Sequence, residues 1–183
     1  MKYMENHLEK RNDPAQLVPE TKSIIVVLFN YYQIPDDNKN LKIAKYAHGN
    51  DYHKVIKDKL NQLLMAIKTR FPKAKGRAFT DSAPVFEKAL AVNAGLGWIG
   101  KNTCLISPGL GSYTFIGEIF INLDLIPDIP FLKSHCGNCT RCLQACPTAA
   151  IARPYEMNAP KCISYQTIEN KKQVMSDTRL YRS

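Results

Sequence analysis

The stretch Cys136-Gly137-Asn138-Cys139-Thr140-Arg141-Cys142-Leu143-Gln144-Ala145-Cys146-Pro147 matches the spacing C-x2-C-x2-C-x3-C-P residue by residue. That spacing is the ligand run of ferredoxin-type 4Fe-4S clusters. Three thiolates on one tight turn can reach three corners of a cuboidal cluster. The fourth, expected to begin a helix after the turn, points elsewhere, as it does in two-cluster ferredoxins where it serves the other cluster. Gly137 lets the backbone bend closely around the inorganic core. A zinc site would pair two well-separated C-x2-C units or add histidines, and only His135 is nearby, which reads as a loop residue. Cys104, far upstream in an apolar stretch, reads as a core residue. Cys162, sixteen positions after Cys146, stays open between ligand and core.

Working outward, Leu125 to Pro130 contains two prolines and marks a linker between a unit at 1–130 and one at 131–183. Upstream of it, Ile24-Ile25-Val26-Val27-Leu28-Phe29 is short and β-branched and predicts a buried strand. Tyr31 to Asn50, with Pro35-Asp36-Asp37-Asn38, reads as a loop. Val55, Ile56, Leu60, Leu63, Leu64 and Ile67 recur at helical spacing, predicting an amphipathic helix from Tyr52 to about Arg70 that Pro72 ends. Ala78-Phe79-Thr80 predicts a second strand, and Asp81-Ser82-Ala83-Pro84 a helix start running to about Asn93. Cys104 to Ser107 and Tyr113 to Leu123 predict two strands around the turn Pro108-Gly109-Leu110-Gly111-Ser112. The expected class is α+β, a sheet-and-helix domain followed by a ferredoxin-like 4Fe-4S segment.

Composition excludes several functions. The 183 residues, 45% hydrophobic and 22% charged, suit one globular domain with a small appendage. Five of the six cysteines fall between Cys136 and Cys162, a clustering unlike the spread half-cystines of a secreted disulfide scaffold and suited to a reducing cytoplasm. The N-terminus offers no apolar export segment, and the run Ile24–Phe29 is far shorter than the ~20 residues a membrane span needs. A soluble cytoplasmic protein is expected. Gly95, Gly97 and Gly100 satisfy G-x-G-x-x-G, but a helix precedes them and a strand follows, the reverse of a dinucleotide-binding turn. They read as sites of close backbone approach, either to a neighbouring element or to a bulky ligand. No Walker P-loop is present.

The net charge of +9 is uneven, +7 over residues 1–80 and +2 over 81–183. Lys54, Lys57, Lys59, Lys68, Arg70, Lys73, Lys75 and Arg77 face only Asp58 in opposition. This stretch is either the solvated face of a helix or a surface for phosphates. Asp81 likewise has two readings, a helix cap or a carboxylic acid able to supply a proton.

Three ordered motifs resemble the epoxyqueuosine reductase family. They are Phe79-Thr80-Asp81-Ser82-Ala83-Pro84-Val85-Phe86-Glu87-Lys88-Ala89-Leu90, then Gly95-Leu96-Gly97-Trp98-Ile99-Gly100-Lys101-Asn102-Thr103, then the cysteine run with Lys161-Cys162-Ile163-Ser164-Tyr165. The resemblance implies a cobalamin-dependent, two-cluster iron-sulfur oxidoreductase that reduces the epoxide of a modified tRNA base with loss of water. It implies Asp81 as proton donor, and Gly97, Gly100, Lys101, Asn102, Thr103 and Ser164 around cobalamin. Cys136, Cys139 and Cys142 would ligate one 4Fe-4S cluster, and Cys146 and Cys162 the other. The basic stretch from Lys54 to Arg77 would face tRNA, and an external donor would supply electrons.

Family members also continue into a second C-x2-C-x3-C motif that completes both clusters, and they begin with roughly fifty more residues, as the resemblance has it. The chain is therefore expected to be a fragment cut at both ends. The rival expectations are a ferredoxin-type electron carrier, a reductive dehalogenase-like cobalamin and iron-sulfur reductase, and an inactive truncated fragment.

Overall fold

The computed structural model describes residues 6–34, 43–81 and 83–170. Pro35-Asp36-Asp37-Asn38, Ser82 and the terminal Asp177 to Ser183 lie outside the described residues.

A short helix α1 (Leu8–Asn12) precedes strand β1 (Ser23–Asn30), helix α2 (Tyr52–Arg70) and strand β2 (Gly76–Phe79). Helix α3 (Glu87–Asn93) leads to the short strands β3 (Trp98–Ile99) and β4 (Leu105–Ile106), then to β5 (Thr114–Ile121). The main sheet has the order β1-β5-β2 and is antiparallel throughout, with Ile119 of β5 opposite both Ile25 and Ala78. Alternation along β5 sends successive side chains to opposite faces. Ile119 and Ile121 meet Ile56, Leu60 and Leu64 of α2. Phe120 meets Phe79 and Val85, with Leu90 of α3 packed alongside. The sheet is thus the middle of three layers, and the mixed helix-and-sheet class expected from the sequence is observed.

Helix α2 has the predicted bounds, because Asp51 accepts the His53 N–H at 3.0 Å as its cap and Phe71 ends it before Pro72. Its buried stripe is narrower than expected. Ile56, Leu60 and Leu64 are buried, whereas Val55 and Leu63 stay exposed.

Two expectations need correcting. Helix α3 begins at Glu87, not near Pro84, and Asp81 does not cap it: the N-cap position is Phe86, with no side-chain cap. Asp81 has a φ of 55° and its carboxylate is engaged by α2 instead, while Val85 N–H turns back to Ala83 O at 2.8 Å. The segments 104–107 and 113–123 do not pair as a hairpin. β4 pairs with β3, and only a Ser107–Gly111 bridge closes the turn. Both edges of β5 are already taken by β1 and β2, so no hydrogen-bonding edge is left for β4.

Beyond residue 130, Phe131 N–H reaches Val92 O at 2.9 Å and its ring stacks on Trp98. Helix α4 (Arg141–Ala145) and the hairpin β6 (Ile151–Arg153) with β7 (Glu156–Met157) follow. Cys146 closes α4 in an extended conformation. The fourth cysteine therefore ends a helix that starts inside the run and does not begin one after the turn. No helix is long and apolar enough to cross a membrane among the described residues.

Candidate functional site

Asp81 follows β2 at a backbone turn where a side chain rarely settles without compensation. The compensation is a set of hydrogen bonds from α2. Tyr52 Oη donates to Asp81 Oδ2 at 2.7 Å, and His53 Nε2 lies 3.0 Å from the same oxygen. His53 Nδ1 lies 2.9 Å from Asp51 Oδ1. Burial opposes charge on His53, but carboxylates at both ring nitrogens outweigh it and raise its pKa, which favours the imidazolium, the form able to donate at both nitrogens. The Tyr52 ring is stacked between His53 and Phe115, at 3.9 and 4.1 Å between centroids. Burial, and then the Asp81 carboxylate, raise the Tyr52 pKa, so the phenol remains a donor.

Behind Asp81 stand two more acids. Asp81 N–H donates to Glu87 Oε1 at the start of α3. Burial, together with the Asp81 charge, pushes the Glu87 carboxyl above the usual range against the pull of its backbone hydrogen bond. Glu118 lies in the middle of β5 with 0% exposure, and neither carboxylate oxygen has a hydrogen-bond partner. Burial first, then Glu87 and Asp81, raise its pKa strongly. Sequence reasoning missed Tyr52, His53, Glu87 and Glu118. The signal available for Glu118 was an acid within the otherwise apolar Phe115–Ile121 run.

Flanking Asp81 is a cleft of about 410 Å³ lined by His53, Lys54, Lys57, Arg77 and Thr80. The basic stretch is consequently divided. All eight of its cations are exposed, but Lys68 and Arg70 sit about 20 Å further along α2 at 1.5 Å per residue.

The cysteine run folds back on the β3–β4 hairpin. Gly137 has a φ of 45°, a bend that favours glycine. Lys101 Nζ donates to Gly137 O at 2.6 Å and Cys139 O at 3.0 Å, so this side chain clamps the cysteine loop. Burial pushes the Cys136 thiol up, but the Lys101 N–H, the Trp98 indole and Ser134 together hold it below the ordinary thiol range. Trp98 Nε1 is itself buried without a hydrogen-bond partner of ordinary geometry, a donor left available beside that sulfur. Cys146 is likewise held low, despite burial, by Ile151 N–H, Thr148 and Ala150 N–H, the last at 3.2 Å from its sulfur. These surroundings favour thiolates. Among the described residues no group of three or more His, Cys, Asp or Glu side chains is set for a single metal ion.

A second cleft, of about 490 Å³, is lined by Asn102, Thr103, Cys104, Cys146, Cys162 and Ser164 among others. It brings Cys146 and Cys162 to one place, and with them three of the residues expected around cobalamin. Gly97, Gly100 and Lys101 are not among its lining. A Cβ on Gly97 would meet Ile106 O at 2.2 Å, and one on Gly100 would meet Ile106 Cδ1 at 2.4 Å. The close approach at both is therefore to the β3–β4 hairpin. Cys104 is exposed on this cleft and is not a core residue. Thr103 at φ 65° turns the chain just before β4, which places Leu105, at 4% exposure, in the interior instead.

The fold and these sites define a three-layer unit of helices and sheet joined to an iron-sulfur segment. Residues 135–182 match the family model "4Fe-4S double cluster binding domain", and residues 11–82 match "Epoxyqueuosine reductase QueG, DUF1730". Curated epoxyqueuosine reductases from Cyclobacterium marinum and Cellulophaga algicola are 51% and 50% identical over 97% and 95% of this chain, covering 58% and 57% of theirs. A crystal structure of selenomethionine-labelled epoxyqueuosine reductase superposes with a TM-score of 0.87 at 31% identity, over 95% of this chain and 48% of that one. A structure of epoxyqueuosine reductase with an epoxyqueuosine-modified tRNA-Tyr stem loop gives 0.86 at 31%, over 93% and 47%. Over nearly all of its own length the chain is similar to epoxyqueuosine reductases. It spans about half the length of the relatives it matches.

Proposed function

We propose that the chain carries the proton-delivering and cluster-binding part of an epoxyqueuosine reductase that acts on tRNA. The observation that carries this reading is the Asp81 carboxylate, held by Tyr52 and His53 beside a basic cleft, in a chain whose relatives bear that name and in one case hold a modified tRNA stem loop. A Bacillus subtilis relative is described with a catalytic aspartate loop swung out of its active site. Asp81, on the loop after β2, is our candidate for that role.

The cysteine spacing and the second cleft, which holds Asn102, Thr103 and Ser164 but not Gly97, Gly100 or Lys101, support the groups the family implies. Cys136, Cys139 and Cys142 would hold one 4Fe-4S cluster, and Cys146 and Cys162 would contribute to the other. Asn102, Thr103 and Ser164 would anchor the edge of a cobalamin in an open, largely apolar cleft, the kind of surface large cofactors occupy. When bound, these groups supply the electrons of the reduction, which come from an external donor. The protein's own work is to hold the base and move protons. Asp81 Oδ2, fed by the His53 imidazolium, gives a proton to the departing oxygen. Because the His53 pKa is raised, its charged form persists above the ordinary histidine range. Proton delivery, and the stability of the Asp51–His53–Asp81 pairing, should be complete at low pH and lost as pH rises through that raised value. His53→Gln should remove this alkaline limb from the rate profile, and an unchanged limb would rule the path out.

Iron counting tests the cluster assignment. A full-length version reconstituted anaerobically should bind about eight irons for two 4Fe-4S clusters. Cys139→Ala should reduce this to about half, while Cys104→Ala leaves it unchanged. Near-zero iron in the parent would instead favour an inactive polypeptide.

The basic cleft makes a separate prediction. Removing one cation that neutralises a phosphate lowers the slope of log affinity against log salt by about 0.7 to 0.9. Replacing Lys54, Lys57 and Arg77 by Ala should lower the slope for a tRNA stem loop by about two units. Replacing Lys68, Arg70 and Lys73 should leave it nearly unchanged, and equal effects would return the whole stretch to a solvated face.

A further inference from the structure

We propose that Glu87 and Lys88, neighbours in the first turn of α3, are a pair of positioning residues that set the Asp81 carboxylate at a fixed span from the second cleft. The proposal rests on the reductase reading above and extends it. In that reading a proton from Asp81 and electrons delivered at the second cleft must meet on one substrate. A misplacement of about 1 Å can cost about a hundredfold in rate, so the fold has to hold the two places together.

Packing does not hold Asp81, whose side chain is 57% exposed. Its φ of 55° lies in the left-handed region, which a residue other than glycine keeps only where contacts compensate. Tyr52 and His53 hold the carboxylate, and Glu87 Oε1 holds the main chain by accepting the Asp81 N–H. That last contact ties the Asp81 turn to the start of α3. Between them Val85 N–H turns back to Ala83 O, and Arg11 Nη1 of α1 donates to Val85 O at 3.3 Å.

Lys88 does the same on the other side. Its Nζ donates at 2.9 Å to the carbonyl of Thr103, another left-handed residue, with a φ of 65°, where the chain enters the second cleft. Consecutive residues of a helix point about 100° apart, so one turn of α3 reaches both the Asp81 turn and the link between β3 and β4. The helix itself is anchored. Ala91 is completely buried, Leu90 packs with Phe79, Val85 and Phe120, and Val92 O accepts the Phe131 N–H at 2.9 Å. Two left-handed turns, one at each site, are thereby referred to a single rigid element. Neither contact is needed to form the helix, since Ala and Met are good helix formers at such positions.

The experiment has two arms. In the chain itself, the ring resonances of His53 are titrated by NMR. The charges acting on that ring are Asp51 at the α2 cap and Asp81 on its turn, with Lys54, Lys57 and Arg77 lining the same cleft. Glu87→Ala should bring the His53 pKa down toward the ordinary histidine value as Asp81 leaves the ring, and Glu87→Gln, which keeps the acceptor, should restore it. Lys88→Met should leave His53 unmoved but quicken amide exchange about tenfold at Thr103, whose N–H bonds Gly100 O at 2.9 Å. In a full-length, cofactor-loaded version, Glu87→Ala and Lys88→Met should each lower kcat on epoxyqueuosine-containing tRNA by about tenfold or more, with KM unchanged. Glu87→Gln should recover most of that loss, and the double variant should lose far less than the product of the two, because both contacts fix one span. A Glu87→Gln enzyme as impaired as Glu87→Ala would put the effect in the charge of Glu87 and overturn the pair. An unmoved His53 in Glu87→Ala, a double variant losing the full product, or lowered melting temperatures with KM raised in both single variants would overturn it too, and each leaves the reductase reading standing. A full-length parent that binds the tRNA but never reduces the base would sink the reductase reading itself, while the His53 and Thr103 measurements would still decide whether Glu87 and Lys88 hold their turns.

Discussion

Asp81→Asn in a full-length version is expected to lower turnover of epoxyqueuosine-containing tRNA by at least about a hundredfold, the scale at which general acids contribute. The amide keeps the size of the side chain, and its oxygen can still accept from Tyr52 Oη. The site should therefore stay folded. What disappears is the carboxylate that takes the His53 proton and passes it on, together with the charge that helps raise the His53 pKa. Affinity for the tRNA should remain within about twofold, since the cations of the flanking cleft, Lys54, Lys57 and Arg77, are untouched. The expected signature is a fall in kcat with little change in KM, meaning that the missing interaction acts in the transition state alone. Turnover equal to the parent's would remove Asp81 from the chemistry and return it to a structural role on its turn.

The second large effect concerns folding. Gly97→Ala places a methyl group 2.2 Å from Ile106 O and 2.8 Å from the Ile106 carbonyl carbon, both in backbone of the paired strand. A flexible side chain could swing away, but backbone locked in the β3–β4 pairing cannot. The substitution should cost about 3 kcal/mol or more, at or beyond the upper end of ordinary overpacking. For a chain of this length that corresponds to a drop of about 6 to 12 °C in melting temperature. It should also loosen the clamp of Lys101 on the cysteine loop, because Lys101 leaves the same hairpin. Gly109→Ala provides the control. Nothing lies within 4 Å of its Cβ, so only its φ of 78° opposes the change, and the loss should be about 1 kcal/mol. Equal losses for the two would show that the hairpin yields.

Several elements were legible in the sequence because they depend on local pattern. The apolar spacing from Tyr52 to Arg70 gave both ends of α2, since a capping Asp and a following Pro act within a few residues of the helix they bound. The run Ile24–Phe29 gave β1 for similar reasons. Errors arose where a residue's state depends on distant partners. Asp81-Ser82-Ala83-Pro84 has the composition of a helix start, yet Tyr52 and His53, nearly thirty positions away, capture the carboxylate and the helix begins later. Cys104 sits in an apolar string, but one turn at Thr103 exchanges the faces of 104 and 105.

The pairing of strands was beyond local pattern too. Residues 104–107 and 113–123 are adjacent in sequence and separated by a glycine-rich turn, the usual grammar of a hairpin. Which edge a strand finds, however, depends on which others compete for it. β1 and β2 bury Ile119, Phe120 and Ile121 more completely than the two-residue β4 could.

By itself, the sequence determined the chemistry available to this protein: thiol spacing suited to iron-sulfur clusters, a surplus of positive charge before residue 80, and a resemblance that ordered the motifs along the chain. Spacing and composition are local, and such properties survive without knowledge of the fold. Only the tertiary structure decided which groups share a site. It placed Cys146, Cys162 and Cys104 on one cleft, divided the basic stretch by the length of α2, and set Glu118 behind Glu87 and Asp81. Those juxtapositions follow from the layering of two helices on a β1-β5-β2 sheet. Burial, which gives a carboxyl or a thiol its reactivity, is produced by that packing and cannot be written into any single segment.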